Sequence, residues 1–194
     1  MNLGIELELF IPFSYYDSFV DATLNKGWKN SRDGSLEPPN SYKGIEIKKR
    51  INLESLKSEL NELLQILKAH KWKVNKTCGF HIHISYSRSI QNLKLLYAFS
   101  RKFIDYDYYH RPKLLHLEIF GSKHRQYMVR RLSNKYSYHN YFLIHHAFIS
   151  ISDYGTIEMR FFDPHLDEQY IDALYRYLRE LDYATNKVRF VRDK

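Results

Sequence analysis

A single cysteine, Cys78, stands in the whole chain, so no internal disulfide can form and a reducing compartment is expected. There is no run of about 18 apolar residues that could make a membrane helix. Glu6 and Glu8 interrupt the one early apolar stretch, so no cleavable signal is expected either. Internal repeats and low-complexity segments are lacking too, which sets aside solenoids and disordered tracts. Acidic charge is in the minority, with 22 Asp plus Glu against 30 Lys plus Arg, and the net charge of +8 favours polyanionic partners. Because the basic residues run along the entire chain, that charge does not choose between nucleic acid, anionic lipid and phosphorylated substrates. The remaining composition, 44% hydrophobic and 27% charged over 194 residues, is that of an ordinary globular chain. One cytoplasmic domain spanning residues 1–194 is therefore expected.

Strand and helix periods alternate along the sequence. Met1 to Ile11 places Leu3, Ile5, Leu7 and Leu9 on one face and Gly4, Glu6 and Glu8 on the other. A helix is predicted from Ser14 to Lys26, with Tyr16, Phe19, Val20, Thr23 and Leu24 inward and Gly27 as its stop. Asp33-Gly34-Ser35 marks a turn. Gly44 to Lys48 alternates again around Glu46, and Asn52 is the predicted cap of a helix carrying Leu53, Leu56, Leu60, Leu63, Leu64 and Leu67. Cys78 to Ser85 is a third alternating run. A helix opening at Ser89 and a strand from Tyr141 to Ile151 follow. Thr156 to Phe162 is predicted as a strand with Ile157, Met159 and Phe161 inward and Glu158 and Arg160 outward. Asp167 should cap a last helix with Leu166, Tyr170, Ala173, Leu174, Tyr177, Leu178 and Leu181 as its apolar stripe.

The third run holds His81 and His83 two residues apart, on one wall of a strand and roughly 6 to 7 Å from each other. Alone, such a pair is more often a half-buried hydrogen-bonding element than a ligand set. Its companions change the weight. Four strands repeat one design, an apolar face backed by a face bearing Glu6 and Glu8, Glu46, His81 and His83, or Glu158 and Arg160. In one antiparallel sheet with helices over the apolar face, these groups would gather on the other. Carboxylates crowd together only when protons or cations compensate them. Oxygen-rich donors with an occasional imidazole suit Mg²⁺ or Mn²⁺, and Arg160 suits a phosphate or carboxylate oxygen. The combination points to phosphoryl transfer from a nucleotide.

Gly4-x-Glu6-x-Glu8, Asp33-Gly34-Ser35, Gly44-x-Glu46, Cys78-Gly79-x-His81-x-His83 and Thr156-x-Glu158-x-Arg160-Phe161, in this order, resemble the amidoligase family of the glutamine synthetase-like carboxylate-amine ligases. The resemblance implies an α+β fold, a curved antiparallel β-sheet with helices on its convex face, binding ATP and two divalent metals. Carried over residue by residue, Glu8 and Glu46 would hold one metal, and Glu6, His81 and Glu158 the other. His83 would approach the ATP phosphates, and Arg160 would stabilise the phosphoryl group in transfer. Arg160, His83 and Glu158 would thus be the catalytic residues, with Arg125, Arg130 and Arg131 as candidates for a further phosphate contact. Cys78 becomes a motif position beside the site, not a nucleophile. The implied product is an amide, made from a carboxylate and an amine.

The chain departs from the family where Phe162-Asp163-Pro164-His165 replaces a frequent Gly-Thr turn, and where Glu46 alone represents a second acidic cluster. A Zn²⁺-dependent hydrolase is the rival enzyme, although an amidohydrolase barrel needs about 250 residues. A basic nucleic-acid-binding or virion-associated module that retains a ligase-like fold is the rival without catalysis.

Overall fold

The computed structural model describes residues 1–85, 149–151 and 156–190. Its centre is a long strand, β1 (Asn2–Pro12), which pairs antiparallel with β3 (Tyr42–Asn52) on one side and β4 (Phe80–Ser85) on the other. A short strand, β2 (Lys29–Ser31), extends the sheet beyond β3, while β5 (Ile149–Ile151) and β6 (Ile157–Phe162) extend it beyond β4. The six strands run in the order β2-β3-β1-β4-β6-β5, every described pairing antiparallel. The α+β, antiparallel part of the expectation therefore holds.

Among the described residues three helices contribute to the core: α1 (Tyr16–Asn25), α2 (Leu56–Ala69) and α3 (Glu168–Phe190). Leu3, Ile5, Leu7, Leu9 and Ile11 of β1 and Ile82 and Ile84 of β4 join one core with Phe19 of α1, the leucine stripe of α2 and the stripe of α3. Alternation in the strands and a 3.6-residue period in the helices thus meet in a single apolar layer. At the far end of β1, Phe10 points to the opposite face. There it packs with Leu36 and Cys78 in a second, smaller core.

Local chemistry sets the boundaries. Gly27, at φ +76°, ends α1 in a conformation that costs glycine no Cβ clash. Asp167 caps α3 as predicted, its Oδ1 accepting the Tyr170 amide at 2.7 Å. Three expectations need correction. Asn52 makes no capping bond, because β3 runs through it and a 3-10 turn, Leu53–Ser55, intervenes before α2. Leu24 is 52% exposed; α1 buries Phe19 and Thr23, and the Thr23 hydroxyl is satisfied by the Phe19 carbonyl. Phe162, which simple alternation assigns outward, enters the core, because three residue steps of β6 (Met159 to Phe162) span two of β4 (Ile82 to Phe80). That extra residue is a β-bulge, a device that turns a strand and re-aims its side chains. The predicted helix from Ser89 and most of the strand from Tyr141 lie outside the described residues.

Leu60 is fully buried in the α2 stripe, so Leu60→Ala should lower the unfolding free energy by about 2–5 kcal/mol in urea titrations. Gln65→Ala, on the exposed side of the same helix, should stay within about 0.5 kcal/mol. Equal losses from the two would mean that α2 does not bury this stripe.

Candidate metal centre

The sheet face opposite the helices carries Glu6 and Glu8 of β1, Glu46 of β3, His81 and His83 of β4, and Glu158 and Arg160 of β6. Strand register brings them together. Glu8 stands across from Glu46, Glu6 across from Lys48 on one side and His81 on the other, and His83 across from both Gly4 and Glu158. Glu8, Glu46, His81, His83 and Glu158 are buried, which is expensive for such groups unless they are paired.

Two donor triads result. Glu6, His81 and Glu158 offer ligand atoms within 4.8 Å of one another, and Glu8, Asp33 and Glu46 do the same. In the first triad His81 Nδ1 lies 3.7 Å from Glu6 Oε2 and 3.6 Å from Glu158 Oε1. His83 Nε2 lies 3.3 Å from Glu6 Oε1 and 3.8 Å from Glu158 Oε1. Arg160, in the bulge, donates from Nη1 to Glu158 Oε1. The ordinary groupings expected from the motifs, Glu8 with Glu46 and Glu6 with His81 and Glu158, are thus neighbours in space. Arg125, Arg130 and Arg131 lie outside the described residues.

Sequence reasoning missed three contributors. Asp33, read as part of a turn, is brought back over the sheet by the β2–β3 connection and completes the second triad; an Asx-turn, Ser35 N–H to Asp33 Oδ1 at 2.7 Å, holds it there. The Asp33-Gly34-Ser35 motif was the available signal. Ser31, on a strand too short to register as a pattern, donates to Glu46 Oε2 at 2.7 Å. Lys48 places its ammonium 3.1 Å from Glu6 Oε1 and 3.0 Å from Glu46 Oε2, joining the two triads.

Charge is balanced unequally. Burial pushes the Glu6 carboxyl up, but the adjacent His81 and His83 rings and the nearby Lys48 charge outweigh it and hold Glu6 far below the usual carboxylate range. Burial pushes Glu8 up, and the adjacent Asp33 and Glu46 charges add to the rise against the opposing pull of His81. Asp33 moves the other way: its burial is outweighed by hydrogen bonds from Ser35 and from Glu8, so of this pair Glu8 takes up a proton more readily. Burial disfavours the Lys48 ammonium, but Glu46 and Glu6 hold its proton more tightly than usual. Lys48 and the raised Glu8 carboxyl thus offset part of the crowded negative charge.

Two glycines make the room. A Cβ on Gly79 would come within 2.5 Å of His81 Nε2 and 3.0 Å of Glu8 Oε2, so the bare backbone lets both side chains share that space. A Cβ on Gly4 would lie 3.2 Å from His83 Cβ, tighter than ordinary contact.

Fold and site together define an antiparallel α+β protein in which the sheet face opposite the described helices bears two adjoining acidic clusters, one of them with imidazoles. Protein-family models, curated proteins and solved structures give no match to the chain.

Adding Mg²⁺ should raise the thermal midpoint more at pH 8 than at pH 5. The raised Glu8 carboxyl favours the folded state while protonated, and this contribution is lost as pH rises through its elevated pKa. The lowered Glu6 carboxyl contributes stability above the ordinary carboxylate value, lost only as pH falls toward its depressed pKa. An ion thus relieves most repulsion where Glu8 has ionised. Glu8→Gln should raise the ion-free midpoint at pH 8, by about 2–4 °C per kcal/mol of repulsion relieved, and shrink the Mg²⁺ response. A pH-independent response would contradict the assignment. Gly79→Ala should remove ion binding by calorimetry while circular dichroism still reports a folded sheet; full retention of binding would show that this space is not shared as described.

Proposed function

We propose that the chain is an ATP-dependent carboxylate-amine ligase requiring Mg²⁺ or Mn²⁺. A phosphoryl group passes from ATP to a substrate carboxylate, leaving ADP and an acyl phosphate. An amine or ammonia then attacks the acyl carbon, loses a proton and expels phosphate, and an amide remains. The observation that carries this reading is the pair of triads, Glu6–His81–Glu158 and Glu8–Asp33–Glu46, lying side by side on one sheet face. The donors fit divalent ions: hard carboxylate oxygens predominate, and Glu8 directly across from Glu46 is a repulsive pairing that a cation relieves. The five sequence motifs support the same reading, since each contributes a residue to this face.

Divalent ions bound there would supply positive charge to the phosphate oxygens and align ATP with the carboxylate. The chain's own residues do the rest. Arg160, unable to lose its proton, sits beside Glu158 and offers its guanidinium to the transferred phosphoryl group or to the acyl phosphate. Lys48 adds a second fixed charge where the triads meet. The apolar layer beneath fixes the strands, so these charges are positioned before the reaction starts. The reading also takes the sheet to be curved like the catalytic domain of glutamine synthetase, with the charged face concave.

A carboxylate-lined face repels a polyanion, which weighs against a nucleic-acid-binding module. Among the described residues no helix is long and apolar enough to cross a membrane.

Purified protein given ATP, Mg²⁺ and mixed amino acids or amines should release ADP and phosphate only when a carboxylate and an amine are present. Glu158→Gln should lower that turnover by about 10²-fold or more. Zn²⁺-dependent ester or amide hydrolysis without nucleotide would favour the hydrolase instead. Salt-sensitive RNA or DNA binding without ATP turnover would favour the binding module.

A further inference from the structure

We propose that His83 is a direct ligand of the ion at Glu6, His81 and Glu158, and that the resulting pair of imidazoles and pair of carboxylates selects a first-row transition ion over Mg²⁺. The inference rests on the metal reading above and revises one part of it, the expectation that His83 meets the ATP phosphates. His83 is only 9% exposed, and its Nε2 is buried with no hydrogen-bond partner. A buried nitrogen left in that state calls for an explanation, and an ion is one of the recognised ones. Here the nitrogen faces Glu6 Oε1 at 3.3 Å and Glu158 Oε1 at 3.8 Å, the same two residues that His81 Nδ1 faces at 3.7 and 3.6 Å.

These spacings are too long for charged hydrogen bonds, which close to about 2.7–2.9 Å. Neighbouring ligand atoms about 2.1 Å from an ion stand roughly 3.0–3.4 Å apart, so the 3.3 Å spacing already fits a shared centre and the 3.6–3.8 Å ones would close by a few tenths of an ångström as an ion enters. The other ring nitrogen is already engaged, with His83 Nδ1 3.0 Å from the Thr156 hydroxyl. If Nδ1–H donates to that hydroxyl, the Nε2 lone pair faces the carboxylates, an arrangement repulsive without a cation between them. Holding one imidazole nitrogen to fix the tautomer and leave the other for the ion is how histidine ligands are usually oriented. Gly4, directly across from His83, leaves β1 without a side chain where the ring lies.

Two imidazoles make the site poor for Mg²⁺, which prefers an all-oxygen octahedron and gives up its waters reluctantly. They suit Mn²⁺, Fe²⁺, Co²⁺ or Zn²⁺. Glu8, Asp33 and Glu46 supply only oxygens and remain suited to Mg²⁺. The two triads therefore take different ions.

Cobalt titration of the full chain, without nucleotide, tests this independently of turnover. One equivalent of Co²⁺ should give visible d–d absorption that excess Mg²⁺ does not abolish. Proton NMR of that complex should show two paramagnetically shifted imidazole N–H resonances. His83→Gln should remove one of them and weaken Co²⁺ binding by at least about tenfold, with Mg²⁺ binding elsewhere unchanged. Thr156→Val should weaken Co²⁺ binding by about 10–100-fold through loss of ring orientation. Should His83→Gln fold poorly, the resonance count in the unaltered protein still decides. A single shifted resonance, or Co²⁺ freely displaced by Mg²⁺, would overturn the proposal and leave the two-metal ligase reading standing. Failure of any divalent ion to bind would overturn both.

Discussion

Setting Glu8 directly across from Glu46 on adjacent strands costs the sheet free energy, because like charges at that spacing repel and both carboxyls are buried. Most of what surrounds them answers that cost. Ser31 donates to Glu46, Lys48 spans from Glu46 to Glu6, and burial with the neighbouring Asp33 and Glu46 charges makes Glu8 readier than usual to hold a proton. Lys48 compensates Glu6 from one side, and the imidazoles of β4 flank it on the other. Compensation by protons is the weaker arrangement near neutral pH, and a divalent ion in each triad would replace it with a stronger one. The site is thus a strained charge distribution held in place by the rest of the sheet.

What holds it is the opposite face. Leu3, Ile5, Leu7 and Leu9 alternate with Gly4, Glu6 and Glu8, so every carboxylate of β1 is anchored by apolar neighbours buried beneath α1, α2 and α3. A one-residue slip would send the charges into the core and the leucines into water, which makes the register hard to change. At the far end of β1, Phe10, Leu36 and Cys78 close over the same face as the site. Cys78 is therefore buried in packing at the site's margin.

Empty positions matter as much as filled ones. Gly79 lacks the Cβ that would strike His81 and Glu8, and Gly4 clears the strand opposite His83. The β6 bulge adds one residue beside Glu158, returning Phe162 to the core while Arg160 reaches the Glu158 carboxylate. Plain alternation would have placed Phe162 outward, and it failed there because a bulge depends on how two strands pair and leaves no mark in a period-two pattern.

The face assignments of Glu6, Glu8, Glu46, His81, His83 and Glu158 were legible in the sequence by itself. So were the leucine stripe of α2 and the Asp167 cap. Each depends on a geometry repeating within a few residues: two for a strand, 3.6 for a helix. Nothing local could decide which strand neighbours which, nor that Glu8 would meet Glu46 and Glu6 would meet His81. Nor could it show that Asp33 folds back from its loop, that Lys48 joins the triads, or that His83 turns Nε2 toward two carboxylates and Nδ1 toward Thr156. Those relations hold between residues far apart in the chain, and only the packed sheet, through its register and its buried layer, brings them to one place.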